Sequence, residues 1–111
     1  MATASVEISA TREIRHFAAQ IYGPCVRQES LDIGSETETL TDAVTQEEIN
    51  AADGLLVARV VGDEGCWVAV GSDPDPEATE ATSETTARRW LPAGVEFVAK
   101  LNAGDKVAVH A

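Results

Sequence analysis

Hydrophobic and polar residues alternate along much of this chain, with the period of two that a strand with one buried face requires. The alternation is cleanest towards the C-terminus. There Val95, Phe97, Ala99 and Leu101 share one side and Glu96 and Lys100 the other, while Val107 and Val109 oppose Lys106 and His110. Leu55–Val61 and Cys66–Gly71 flank Gly62-Asp63-Glu64-Gly65, and Val95–Leu101 and Lys106–His110 flank Asn102-Ala103-Gly104-Asp105. Two apolar runs separated by a short Gly- and Asp-containing segment read as a β-hairpin, because Gly supplies the positive φ of tight turns. The C-terminal half is therefore expected to be two consecutive hairpins joined by a long acidic loop.

Upstream, Val6 and Ile8 alternate with Ser5, Glu7 and Ser9, which predicts a first strand over Ala4–Ala10. Thr11–Tyr22 admits two readings. Ile14, Phe17, Ala18 and Ile21 recur at helical spacing, with Gly23-Pro24 as a stop, whereas Ile14, His16 and Ala18 suit a strand. The helical spacing favours a short helix or irregular arm. Val26–Ile33 predicts a strand with Leu31 and Ile33 inward. Glu36–Val44 is expected to be extended and anchored by Leu40. Thr45-Gln46-Glu47-Glu48 matches a capping box and opens a short helix that Gly54 would end. The pattern predicts an all-β fold: an antiparallel β-sandwich or jelly-roll-like partial barrel with an N-terminal arm and one short helix. Residues 1–25 form the N-terminal strand and arm, and residues 26–111 the β-sandwich domain.

Composition narrows the partners. The 111 residues carry 19 acidic against 8 basic side chains, a net charge of −11. Such a surface disfavours a nucleic-acid backbone, whose binding needs clustered Lys and Arg. No run approaches the roughly 18 apolar residues of a membrane span. The start has neither the basic nor the apolar region of a secretory signal, so the expectation is a soluble protein made in a cytoplasm, without membrane or direct nucleic-acid partners. Cys25 and Cys66 fit two readings: buried thiols acting as small hydrophobes, or a disulfide formed outside the reducing compartment. Ser72–Thr86, with Pro74 and Pro76, has the composition of a flexible linker and is expected to be mobile in the isolated chain.

Signatures of catalysis are missing. There is no glycine-rich phosphate loop and no G-x-S-x-G elbow. His16 and His110 have no ligand-spaced partner. Asp73, Asp75 and Glu77 lack the central Gly and distal Glu of a calcium loop, and prolines stand between them. No catalytic residue, cofactor or metal site is expected. Trp67 and Trp90 suit either a core or an interface, and Arg88 and Arg89 suit docking onto an acidic neighbour, with a solvated pair of arginines as the plainer reading; Arg88, Arg89 and Trp90 are secondary interface anchors. Ile14, Phe17, Ile21 and Tyr22 are the apolar anchors the arm offers to a partner, and Thr3–Ala10 is the stretch most suited to pair outside its own subunit.

Three stretches in order carry a resemblance: Cys66-Trp67-Val68-Ala69-Val70-Gly71-Ser72-Asp73-Pro74, Leu91-Pro92-Ala93-Gly94-Val95-Glu96-Phe97, and Gly104-Asp105-Lys106-Val107-Ala108-Val109. With Leu31-Asp32-Ile33-Gly34-Ser35 upstream, the order resembles a family of small tailed-bacteriophage proteins over about residues 26–110. Those proteins combine a C-x-V-A-I-G-x-x-P strand, an L-P-A-G turn and a G-x-K-[IV]-A-V strand. The chain departs from that pattern at Thr11–Cys25 and in its acidic loop, Asp73–Glu84. The resemblance implies a virion structural protein without enzymatic activity, a β-sandwich that decorates or cements the capsid by bridging subunits. Its expected partners are the major capsid protein, or neck proteins if it sits at the head–tail collar, together with copies of itself, a trimer being favoured. A small non-viral binding module is the alternative outside that family.

Overall fold

The computed structural model describes residues 2–14, 19–52 and 55–111, with residues 12–14 and 19–24 described for the backbone only. Two four-stranded antiparallel sheets pack face to face. The first has the order β2-β1-β4-β7, from Ala19–Asp32, Thr3–Ile14, Leu56–Gly62 and Glu96–Lys100. The second has the order β3-β8-β5-β6, from Glu38–Thr39, Lys106–His110, Cys66–Gly71 and Arg89–Leu91. The one described helix, α1, spans Gln46–Ala51. The expected all-β sandwich with a short helix is the fold.

Alternation places the core. Ala4, Val6 and Ile8 of β1 and Leu56, Ala58 and Val60 of β4 meet Cys66, Val68 and Val70 of β5 and Val107 and Val109 of β8. Burying each Val or Leu completely contributes about 1.5–3 kcal/mol, so these short strands are held chiefly by their inward faces. Phe97 and Ala99 pack against this cluster while partly exposed. Val95 does not join them: it is 47% exposed, because β7 begins only at Glu96.

The two expected hairpins are not hairpins. Each strand lies where the alternation puts it, but β4 pairs with β1 and β7, whereas β5 pairs with β6 and β8. Residues 63–65 therefore carry the chain from one sheet to the other, and residues 101–105 do the same between β7 and β8. Neighbouring strands hold the first corner: Asp63 N–H donates to Thr3 O (3.0 Å), Thr3 N–H to Asp63 Oδ1 (2.9 Å) and Gly94 N–H to Gly62 O (2.9 Å). Gly94 and Gly104 have φ of 75° and 90°, values that favour glycine, in the turns before β7 and β8.

Thr3–Ala10 is also satisfied internally, with β2 on one side and β4 on the other, so it offers no free edge to another subunit. Thr11–Ile14 and Ala19–Tyr22 are paired strands rather than a helix or irregular arm, through Thr11↔Tyr22, Arg12↔Ile21, Glu13↔Gln20 and Ile14↔Ala19. Pairing with β4 ends at Ala10↔Leu56, so beyond it the ladder is a two-stranded ribbon. Continuation of an existing ladder outweighs the helical spacing there. Phe17, His16 and Gly54 lie outside the described residues. The division expected at residue 25 falls within β2.

At the far side of the first sheet, Arg27 and Glu29 of β2 stand opposite Ile8 and Val6 and share their inward face. They are polar because residues 40–48 close the sandwich there. Arg27 donates to Glu48 (3.0 Å) and to Asp42 O (3.0 Å), and Glu29 accepts from Thr41 Oγ1 (3.0 Å). Leu40 and Val44 are buried as the anchors of this segment. The capping box forms: Glu48 N–H donates to Thr45 Oγ1 (3.2 Å) and Thr45 N–H to Glu48 Oε1 (3.0 Å). Burial raises the Glu48 pKa, but the Thr45 N–H and the Arg27 guanidinium outweigh it and hold the carboxyl below its ordinary value.

The acidic segment between β5 and β6 is folded onto its own sheet. Thr86 N–H donates to Val70 O (2.8 Å), Val70 N–H to Thr86 Oγ1 (3.0 Å), Asp73 N–H to Glu84 O (3.0 Å) and Asp75 N–H to Thr85 Oγ1 (2.9 Å). Pro74, Pro76 and Thr85 are buried. The prolines that suggested a linker serve as apolar contacts, a role that requires no N–H.

Candidate functional site

The exposed cluster with the most distinctive chemistry lies where β6 and β7 bound the same side of the sandwich. Register brings its members together. Trp67↔Trp90 is a cross-strand pair on β5 and β6, and the two indoles meet edge to face with centroids 5.2 Å apart and planes at 67°. The Arg88 guanidinium lies 4.0 Å from the Trp67 ring centroid, giving the sequence Arg88, Trp67, Trp90 across the outer face of the second sheet. Successive residues alternate faces, so Arg89 turns the other way and lies 5.4 Å from the Phe97 ring on β7. Each such contact contributes about 0.5–1 kcal/mol where exposed.

Trp90 is 49% exposed. Gly65 makes its position possible: a Cβ there would stand 2.4 Å from Trp90 Cζ2, inside the indole. Trp67, half-buried on the outer face beside Trp90, belongs neither to the inter-sheet core nor to free solvent. Val95 is a second large exposed apolar side chain, five residues on from Trp90.

The charges here differ from those of Arg27 and Arg59. Arg27 pairs with Glu48 at 3.0 Å, and Arg59 with Glu96 at 2.8 Å and Glu7 at 3.8 Å. Arg88 and Arg89 hold no carboxylate among the described residues within ion-pair distance; their partners are aromatic faces. On a chain of net charge −11 these two exposed cations, like Lys100, are available to a carboxylate from outside.

Of the residues expected at an interface, Arg88, Arg89 and Trp90 come together in this cluster. Ile14, Ile21 and Tyr22 have backbone positions in the β1–β2 ribbon, and their side chains, like Phe17, lie outside the described residues. Cys25 and Cys66 are both free thiols, the first exposed and the second buried. Register explains why they do not join. Cys25 pairs with Ser9, which pairs with Val57, whereas Cys66 Sγ lies by Gly62 at the other end of β4. Five strand residues span roughly 16 Å, and a disulfide needs Cα atoms within about 7 Å. Burial raises the Cys66 pKa; slight desolvation, then the Glu7 carboxylate, raise that of Cys25.

The residues that carry the sequence resemblance have identifiable structural work. Cys66, Val68, Val70, Leu91, Val107 and Val109 fill the core, and Gly94 and Gly104 make turns. Gly71 lies against the acidic loop, where a Cβ would stand 2.0 Å from Glu84 O. The motifs thus describe how the sandwich is built. Among the described residues no three His, Cys, Asp or Glu side chains are grouped to hold a metal, and no helix is long and apolar enough to cross a membrane. Besides the cluster, a hollow of about 300 Å³ lies between Ala81–Thr86 and Phe97, Ala99 and Lys100, and an apolar groove of about 350 Å³ runs between α1 and Ala10 and Val26.

Comparison with protein-family models, with curated proteins and with solved structures found no match.

Proposed function

We propose that this chain is a non-enzymatic structural accessory of a tailed-bacteriophage particle, one that decorates the capsid by bridging neighbouring subunits. The ordered motifs and their resemblance support the virion assignment. The observation that carries the binding role is the Arg88–Trp67–Trp90 layer: a half-exposed indole on a two-stranded support, beside two arginines that have no carboxylate partner among the described residues. Trp and Arg are the residues that most often dominate interface energetics, and here both are held in place before a partner arrives. A standard interface burying roughly 1,600 Å² attaches a small domain stably with no chemistry.

The test is co-sedimentation of purified protein with particles of the encoding phage made without its gene. Wild-type protein is expected to bind those particles and to restore their resistance to heat and osmotic shock. Trp90→Ala and the double variant Arg88→Glu/Arg89→Glu should lose most binding while melting near the wild-type temperature. Particles that are stable, tailed and infectious without the protein, and that bind none of it, would refute the assignment.

A further inference from the structure

We propose that two copies of this chain join β7 to β7 across a twofold axis centred on Val98, so that their first sheets become one continuous sheet. The inference concerns self-association and does not depend on the particle reading.

A sandwich of two open sheets has four edge strands, and exposed edges are ordinarily blunted by being short, bulged or charged alike. Here β3 has two residues and β6 three, and β2 is in unbroken register with β1 only from Arg27 to Asp32, beyond which the ladder shifts between Ile8/Ser9 and Ser9/Thr11. β7 is regular from end to end: all five residues keep an unbroken register with β4, from Val57↔Lys100 to Val61↔Glu96. Hydrogen-bond parity shows which groups it leaves free. Leu101 N–H donates to Leu56 O at 2.9 Å, so Ala99 and Phe97, at the same parity, also face β4. Glu96, Val98 and Lys100 therefore direct their N–H and C=O groups away from the sheet.

The side chains at those positions are complementary to themselves. The strand reads Glu96-Phe97-Val98-Ala99-Lys100, with opposite charges equidistant from Val98. Antiparallel pairing about Val98 sets Val98 against Val98 of the second copy and sets Glu96 against its Lys100, twice. This register alone uses all three outward residues of both strands. A register centred on Glu96 or Lys100 would oppose like charges. Glu96 is already held on that face by Arg59 at 2.8 Å. The pairing is isologous and closes at two copies, in place of the trimer expected from sequence. Trp90 lies in the other sheet, so each dimer carries two such clusters.

The experiment combines sedimentation with cross-linking at about 150 mM salt, where the net charge is screened over about 8 Å. Wild-type protein should show a concentration-dependent dimer. Lys100→Glu should dissociate it, with affinity falling roughly tenfold, and Glu96→Lys/Lys100→Glu, made in an Arg59→Gln background because Arg59 pairs with Glu96 inside the chain, should restore it, since the swap recreates both intersubunit pairs. In a Cys25→Ser background, Val98→Cys should oxidise to a covalent dimer, because Cα atoms of a hydrogen-bonded antiparallel pair lie about 5.5 Å apart, within disulfide range. Glu96→Cys should not, since each would stand four residues from its counterpart. A monomer at all concentrations, equal cross-linking at positions 96 and 98, or a charge swap that fails to restore what Lys100→Glu removes would each overturn the proposal. Binding of particles by a strictly monomeric protein would overturn it while leaving the proposed function standing.

Discussion

Gly71→Ala probes the contact between the acidic loop and the second sheet. At Gly71 a Cβ would lie 2.0 Å from Glu84 O, 2.7 Å from Glu84 C and 2.8 Å from Thr85 Cα. All three are backbone atoms, so no side-chain rotation relieves the overlap. Van der Waals contact requires about 3.5 Å, and the loop must retreat by roughly 1.5 Å. That movement breaks or stretches four hydrogen bonds between 2.8 and 3.0 Å: Thr86 N–H to Val70 O, Val70 N–H to Thr86 Oγ1, Asp73 N–H to Glu84 O and Asp75 N–H to Thr85 Oγ1. At about 1 kcal/mol net each, with partial retention, the loss is about 2–4 kcal/mol. The smaller conformational freedom of Ala in the unfolded chain returns about 0.4–1 kcal/mol. A net loss of about 2–3 kcal/mol lowers the melting temperature by roughly 10 °C in a domain of this size. Urea unfolding measures the loss, and native-state hydrogen exchange localises it: the amides of Val70, Asp73 and Thr86 should lose protection while those of Val60 and Val107 keep theirs up to the new global limit. Gly34→Ala is the control, with nothing within 4 Å of its Cβ, and should be close to neutral. A Gly71→Ala protein within about 0.5 kcal/mol of wild type, with Thr86 still protected, would falsify the reasoning.

Three further outcomes are expected. The Glu48 pKa is depressed on folding, so its contribution to stability is fully present above the unfolded carboxylate pKa and is lost as pH falls through the folded value; the gap between wild type and Glu48→Gln in urea should therefore be larger at pH 7 than in strong acid, and Thr45→Ala should cost about 1 kcal/mol at neutral pH. Phe97→Ala should cost about 1–2 kcal/mol, below the 3–5 kcal/mol of a fully buried ring, because Phe97 is only partly covered; a loss of 4 kcal/mol in thermal or urea unfolding would show it enclosed. A thiol reagent should label one cysteine per native chain, Cys25, faster as pH rises, and a second, Cys66, only on unfolding; two fast thiols would place Cys66 at the surface.

Part of the candidate site is legible in sequence because it is contiguous: Arg88, Arg89 and Trp90 stand together along the chain. Trp67 joins them only through the β5–β6 register. The charge symmetry of β7 can be read from five consecutive letters, but it acquires meaning only once β7 is an edge strand. Phe17 and the side chains of Ile14, Ile21 and Tyr22, the apolar anchors suggested by the arm, lie outside the described residues.

What the chain determined by itself was local. Alternation located strands and put Val6, Ile8, Val107 and Val109 on inward faces, and Thr45 with Glu48 set the start of the helix, because side-chain period and capping act between near neighbours. Tertiary structure decided the pairing. The runs ending at Gly62 and beginning at Cys66 have the same inward faces whether they form a hairpin in one sheet or turn a corner between two. Alternation specifies which side of a strand is buried and leaves open which strand lies beside it. The ties of Asp63 to Thr3 and of Gly94 to Gly62, which hold that corner, join residues distant along the chain, and only the packed sandwich brings them together.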